Sequence, residues 1–149
     1  MEKSLVLSVS VGTGCYRHIQ ISEGVTLERL SSAILAAFDF YNDHLHSFFM
    51  SNRAWDQTSE FASSCDGLAE ADVRPSTSEV KLSRFHLVKG NKFLYIFDYG
   101  DDWRFSIKVL RVIDEPTRFP LVLKSVGEVS QYGYDEDEDE DEDEEDDED

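Results

Sequence analysis

The fold is decided by residues 5–40, LVLSVSVGTGCYRHIQISEGVTLERLSSAILAAFDF, where one hydrophobic period gives way to another. Apolar and polar residues alternate over residues 5–11, as they do in a half-buried strand, and Gly-Thr-Gly at 12–14 can turn the chain into a second strand. Thr26 can then cap a segment whose apolar residues recur at helical spacing, namely Leu27, Leu30, Ile34, Leu35 and Phe38. The stretch therefore predicts a β-hairpin followed by an amphipathic helix that continues to about Phe40.

Later apolar runs supply the rest of a predicted sheet, which the apolar side of the helix needs as a partner. Residues 45–50 form one expected strand, and residues 93–97 form another that is apolar on both faces. The next strand carries its apolar residues on a single face, namely Trp103, Phe105, Ile107 and Val109. With a last strand around residues 121–126, we predict an α+β fold in one domain at residues 1–130. We expect a single mixed or antiparallel sheet of about six strands with one main helix packed on it, roll-like or grasp-like.

The C-terminus differs in composition from the rest of the chain. Residues 135–149 are all Asp or Glu, and these 15 acids account for most of the net charge of −18, which leaves −3 for residues 1–134. Such a run repels itself and buries nothing, so residues 131–149 are predicted to be a disordered polyacidic tail. The tail can simply confer solubility, or it can bind basic partners and gather divalent cations. Because the cations of the body are scattered among its acids, we expect no basic stripe and no direct nucleic-acid binding.

From the sequence we expect neither a membrane span nor a secretory signal. Its longest apolar run, residues 33–38, is much shorter than the roughly 20 residues that cross a bilayer. Cys15 and Cys65 lack the spacing of a zinc or thioredoxin motif, so both are predicted to be free thiols. We therefore expect a cytoplasmic protein with no membrane partner.

Two short segments contain side chains that could form a metal site. In the segment DHLH at 43–46, strand alternation would place His44 and His46 on one face about 7 Å apart, close enough to share a metal. Asp98, Asp101 and Asp102 surround a tight turn and could add carboxylate ligands or a general base. The alternative is structural, because Asp beside Gly is common in turns and a histidine near an apolar strand is usually hydrogen-bonded.

Candidate binding surfaces are the loop predicted at residues 51–79 and the hairpin that follows it. The loop is rich in Ser, Asp, Asn, Gly and Pro, and long loops often carry binding function. The hairpin contains aromatic residues that could form a sticky or stacking platform, namely Tyr95, Phe97, Tyr99, Trp103 and Phe105. The competing interpretation is that most of these rings are core.

The run YIFDYGDDWRF at 95–105, together with DHLHSFF at 43–49 and MSNRAW at 50–55, closely resembles the plasmid pRiA4b ORF-3-like family. The resemblance covers nearly the whole body and implies a compact α+β fold in which a helix flanks a sheet. Members are mostly described as uncharacterised, and some carry labels that tie them to plasmids or to a transposable-element passenger protein called TnpR. Many relatives have a histidine at the position of Phe105, so its absence here removes one potential metal ligand.

Three functions are consistent with these features. We expect a non-catalytic intracellular binding or accessory module that uses the 51–79 loop and the aromatic hairpin, with a protein as its partner. The alternative is a metal-dependent hydrolase-like enzyme whose candidate site comprises His44, His46, Asp98, Asp101, Asp102 and Trp103, with a divalent metal held by His44, His46, Asp98 and Asp101. A third interpretation, an accessory role in DNA transactions of a mobile element, rests on the family labels alone.

Overall fold

The computed structural model describes residues 2–63 and 75–131, which form one open antiparallel sheet of seven strands and one α-helix. In chain order the elements are β1 (Ser4–Ser10), β2 (Tyr16–Ser22), α1 (Leu27–Ala37), β3 (His46–Phe49), β4 (Glu60–Ala62), β5 (Lys92–Phe97), β6 (Trp103–Ile113) and β7 (Leu121–Val126). Short 3₁₀ turns lie at Gln57–Ser59, Thr77–Glu79 and Leu82–Phe85.

The strands follow the order β4-β3-β5-β6-β1-β2-β7, and each neighbouring pair is antiparallel. The predicted hairpin of β1 and β2 is confirmed, and β6 lies on the other side of β1. The two edges of the sheet are β4 and β7.

We call the side of the sheet that packs against α1 the inner face and the opposite side the outer face. The helix begins at the predicted cap, where the Thr26 side chain accepts a hydrogen bond from the backbone N–H of Arg29. The inner core combines the helix residues Leu27, Leu30, Ile34 and Leu35 with buried side chains of β1, β2, β3, β5 and β6. The outer face has a smaller cluster of Phe49, Leu94 and Ile96, against which Ala54 packs. The prediction that β5 is apolar on both faces is therefore confirmed.

Several boundaries differ from the prediction although the fold class is confirmed. The sheet has seven strands because β4 forms within the segment predicted to be loop, where Phe61 pairs with Phe48. The helix ends at Ala37, three residues early, because Asp39 adopts a φ of +61°, outside the helical region. The third strand begins at His46, so His44 precedes it.

Other predictions from the sequence have mixed outcomes. Cys15 is a buried free thiol, as expected, whereas Cys65 lies outside the described residues. The predicted acidic tail also lies outside them, apart from Gln131. Across the two described ranges, no helix has both the length and the apolar character needed to cross a membrane.

Candidate functional site

Asp98 organises the turn between β5 and β6. Its φ of +63° is a left-handed conformation that Asp tolerates better than most residues. Its backbone carbonyl accepts from the N–H of Asp102 at 2.6 Å, and its side-chain Oδ1 accepts from the N–H of Asp101 at 3.4 Å. Its own N–H donates to the carbonyl of Leu45 at 2.9 Å, which ties the turn to the segment before β3. Asp98 is buried and therefore has a structural role in this turn.

His44 is the predicted site residue that the fold does bring to Asp98. Its Nε2 lies 3.5 Å from Asp98 Oδ2 and 3.5 Å from Asp43 Oδ1. These distances exceed those of good hydrogen bonds, and 40% of the side chain is exposed. The ring also packs edge-on against Phe97. His44, Asp43 and Asp98 therefore form a loose, partly hydrated ion-pair cluster when His44 is protonated.

His46 has a different environment on the inner face. Its Nε2 is 2.9 Å from Thr77 Oγ1, and its ring packs against Phe48 and Tyr95. Burial lowers the pKa of His46 from 6.5 to about 4, so the imidazole is neutral near pH 7. The geometry matches a hydrogen-bonded structural histidine, which was the alternative interpretation of this residue.

The remaining predicted residues serve the turn and the core. Asp102 forms an exposed pair with Arg104, whose Nε and Nη2 lie 3.0–3.2 Å from its carboxylate oxygens. This hydrogen bond raises the pKa of Arg104. The half-buried Trp103 packs edge-on against Phe40 at 4.9 Å, and within the described residues its Nε1 has no hydrogen-bond partner. Phe105 is fully buried on the inner face and is part of the core.

The predicted metal ligands are thus divided between two environments. Within residues 2–63 and 75–131, no group of three or more His, Cys, Asp or Glu side chains is arranged to hold a metal ion. His44 and Asp98 meet, whereas the Nε2 of His46 is engaged by Thr77. The divalent-metal site stays a prediction, which metal analysis of the purified protein and of its His44→Ala variant can test.

The two predicted binding segments do meet, through a pair of rings that we call the aromatic platform, Trp55 and Tyr99. The ring of Trp55 lies 5.5 Å from that of Tyr99 and 5.5 Å from that of Phe49, edge-on to both. Trp55 is 44% exposed and Tyr99 is 36% exposed. Most other rings of the hairpin are buried in the core, as the competing interpretation held. Within the two predicted binding segments, the exposed rings are therefore Trp55 of the loop and Tyr99 of the turn.

Hydrogen bonds fix Tyr99 itself and the turn that carries Trp55. The hydroxyl of Tyr99 is 2.6 Å from Ser47 Oγ and donates to the backbone carbonyl of His46 at 3.0 Å. Next to Trp55, the Asp56 carboxylate accepts from the hydroxyls of Ser51 and Thr58, and these hydrogen bonds lower the pKa of Asp56. Trp55 itself has a φ of +63°, which is strained for a bulky residue. The surrounding network therefore holds an exposed tryptophan in an unfavourable backbone conformation.

A second feature of the outer face is a line of cross-strand neighbours that we call the basic row. It comprises Lys92, Lys108, Ser8, His18 and Lys124, all of which are basic except Ser8. Each member is directly opposite the next on the neighbouring strand, from β5 through β6, β1 and β2 to β7. Four strand spacings of about 4.8 Å give the row a length of roughly 19 Å. Strand register thus aligns three lysines that are distant in sequence, whereas the expectation of no direct nucleic-acid binding stays a prediction.

A shallow pocket connects the two features of the outer face. It has a volume of about 320 Å³, and its polar lining comes from Ser8, Ser10, Asn52, Lys92, Ser106 and Lys108. Ser8, Lys92 and Lys108 belong to the basic row and Asn52 to the same loop as Trp55, so the row and this loop both line the pocket. Sequence reasoning missed this arrangement, although one signal was available. The strands β1, β2, β5, β6 and β7 contain no Asp or Glu.

Comparisons with known proteins agree with the resemblance in sequence. A search of curated proteins gave no significant match. Among solved structures, a protein of unknown function from Methanosarcina mazei Go1, MM3350, is similar, with a TM-score of 0.63 and 26% sequence identity. That similarity covers 84% of this chain and 70% of the other. The sequence model described as plasmid pRiA4b ORF-3-like protein matches residues 7–145, so the chain belongs to the plasmid pRiA4b ORF-3-like family.

Proposed function

We propose that the chain is a non-catalytic cytoplasmic binding module that recognises a protein partner through the aromatic platform. The observation that carries the proposal is the exposed Trp55, held at a φ of +63° against Tyr99. Strained conformations cost about 1–3 kcal/mol and persist where surrounding contacts impose them, which happens most often at functional sites. A tryptophan that served only to fill the core would not need to be almost half exposed.

The chemistry of the aromatic platform suits protein recognition. Trp and Tyr are enriched among the residues that contribute most to protein–protein binding, because each offers a large rigid surface with a polar end. Tyr99 is already fixed by its hydrogen bonds to Ser47 and His46, so little side-chain entropy would be lost on binding. The net charge of −18 favours a protein over a nucleic acid as the partner of the whole chain.

The test is affinity capture from an extract with the full-length chain as bait, comparing the native protein with Trp55→Ala and Tyr41→Ala. Tyr41 is a matched control, because its ring is 71% exposed and lies outside the aromatic platform. A protein that binds through the platform should bind Trp55→Ala at least about 30-fold more weakly, as expected for a tryptophan hot spot worth about 2 kcal/mol. It should bind Tyr41→Ala as it binds the native chain.

Quantitative mass spectrometry of the captured proteins gives a clear decision. Equal recovery of every captured protein by the native chain and Trp55→Ala would contradict the proposal. Loss of the same protein from both alanine variants would point to a different surface. Circular dichroism of each variant checks that the fold is retained.

The basic row specifically favours a second candidate, the accessory role in DNA transactions. Aromatic rings beside Lys and Arg are the usual combination on surfaces that bind single-stranded nucleic acid. If this function is right, a full-length chain whose acids at 135–149 are replaced by Asn and Gln should bind a single-stranded oligonucleotide. That affinity should fall steeply between 50 and 200 mM salt, because binding releases counterions. No measurable binding at 50 mM salt would exclude this candidate.

A further inference from the structure

The basic row is an uncompensated concentration of positive charge. Lys92 is directly opposite Lys108 on one face of the sheet, and like charges in such pairs are destabilising. Among the described residues, none of the three lysines of the row forms a salt bridge. Because these five strands contain no Asp or Glu, they offer the lysines of the row no compensating carboxylate of their own.

The surroundings of His18 show that the charges act on one another. Lys124 is its cross-strand partner on β7, and Lys108 is two strands away across Ser8. Burial lowers the pKa of His18, and the positive charges of Lys124 and Arg111 lower it further. The outer face is therefore electropositive although the whole chain is strongly acidic.

The chain itself contains a complementary polyanion within reach. The described chain ends at Gln131, which is anchored by two hydrogen bonds to the backbone of Tyr41, at 2.7 and 3.2 Å. The 18 residues that follow include the 15 consecutive acids, and fully extended they span about 60 Å. The seven-stranded sheet is only about 30 Å wide. Attachment to the same molecule gives such a segment an effective concentration on the order of millimolar.

We infer that residues 135–149 bind the basic row of their own chain and cover the outer face of the sheet. Their carboxylates supply the counter-charges that the five strands lack, in an exposed contact that salt weakens. The bound segment would shield the neighbouring pocket from other polyanions, so that only a stronger anionic competitor displaces it. The inference does not depend on a protein partner binding at Trp55.

The first experiment follows the ring of His18 by NMR in two full-length proteins. One is the native chain, and in the other each Asp and Glu at 135–149 is replaced by Asn or Gln. At low salt the pKa of His18 should be about one pH unit higher in the native chain, because carboxylates close to an imidazole favour its protonated form. Salt at 0.5 M should remove most of this difference. The imidazole signals of His86, which lies off the basic row, serve as the internal control and should be the same in both proteins.

The second experiment locates the acidic segment and identifies the chain that it covers. A spin label on Asp149→Cys, in a Cys65→Ser background, should broaden the amide signals of His18 and Lys108. The variant with Lys92→Gln, Lys108→Gln and Lys124→Gln should lose this broadening at His18. A control sample mixes spin-labelled chain of natural isotope content with ¹⁵N-enriched chain that carries no spin label. At low concentration this mixture should show no broadening of the His18 and Lys108 signals.

Three outcomes would overturn the inference. The first is an identical titration of His18 in the native and neutralised chains at low salt. The second is broadening that appears only in the mixed sample, which would assign the bound segment to a second copy. Broadening that persists at His18 in the triple lysine variant would equally refute binding through the row.

Discussion

The neutral, buried His46 predicts a specific dependence of stability on pH. Burial holds its pKa at about 4 in the folded protein, against 6.5 for an exposed histidine. Between these values the unfolded chain binds a proton that the folded chain does not, so acidification favours unfolding. The contribution of His46 to stability is therefore fully present above about pH 6.5 and is lost as the pH falls towards 4.

The size of this effect follows from the two pKa values. A lowering of about 2.5 corresponds to roughly 3 kcal/mol, at about 1.36 kcal/mol for each tenfold change in proton affinity. Most of that is lost between pH 7 and pH 5, where proton linkage predicts a decrease of about 2 kcal/mol in the free energy of unfolding. The hydrogen bond to Thr77 does not require the charged imidazole, because either ring tautomer can complete it.

Urea denaturation of the native chain and of His46→Gln at several pH values measures this contribution. Gln cannot be protonated in this range and keeps an amide that can reach Thr77. Titration of the many carboxylates is common to both proteins, so the difference between their pH profiles isolates His46. The native chain should lose about 2 kcal/mol more than His46→Gln between pH 7 and pH 5. Parallel profiles for the two proteins would refute the assignment of His46 as a neutral buried group.

Two further predictions concern stability. Arg17 is buried and donates hydrogen bonds to the carbonyls of Tyr16, Ala37 and Val126 at 2.9–3.0 Å. Arg17→Leu should therefore lower the free energy of unfolding by about 2–4 kcal/mol. The control Arg111→Leu, at an exposed position, should change it by less than about 0.5 kcal/mol. If urea denaturation shows similar losses of unfolding free energy for the two variants, the three hydrogen bonds of Arg17 contribute little to stability. Gly127 and Gly90 both have positive φ, but a Cβ at Gly127 would clash with the carbonyl oxygen of Gly14, whereas a Cβ at Gly90 would meet nothing within 4 Å. Gly90→Ala should therefore cost about 1 kcal/mol and Gly127→Ala clearly more, and a thermal-melting comparison that ranks them equally would contradict the close approach.

Local pattern was sufficient to predict most of the elements. Alternation over residues 5–11 and helical spacing after Thr26 are properties of short segments, and both β1 and α1 appear where those patterns predict them. The fold class could be predicted for the same reason, since a hairpin and a helix with apolar faces must cover each other. The three-residue β4 could not be predicted from the sequence, because so short a strand exists only through its pairing with β3.

The candidate site was less accessible to sequence reasoning, since its geometry depends on contacts between distant segments. The two histidines are only two positions apart in sequence, yet His46 is hydrogen-bonded to Thr77, 31 residues away, while His44 meets Asp98. Sequence reasoning identified the loop and the hairpin as binding segments. It did not predict that they meet through Trp55 and Tyr99.

The sequence by itself determined the periodicities, the helix cap, the segregation of 15 acids at the C-terminus and the absence of acids from five strands. Only the tertiary structure decided that Lys92, Lys108, His18 and Lys124 form one row. The physical reason is strand register. The face on which a side chain lies follows from local alternation, but its neighbours across the sheet depend on which strands pair and at which residues. A slip of one residue in the pairing would move the side chains of the slipped strand to the opposite face.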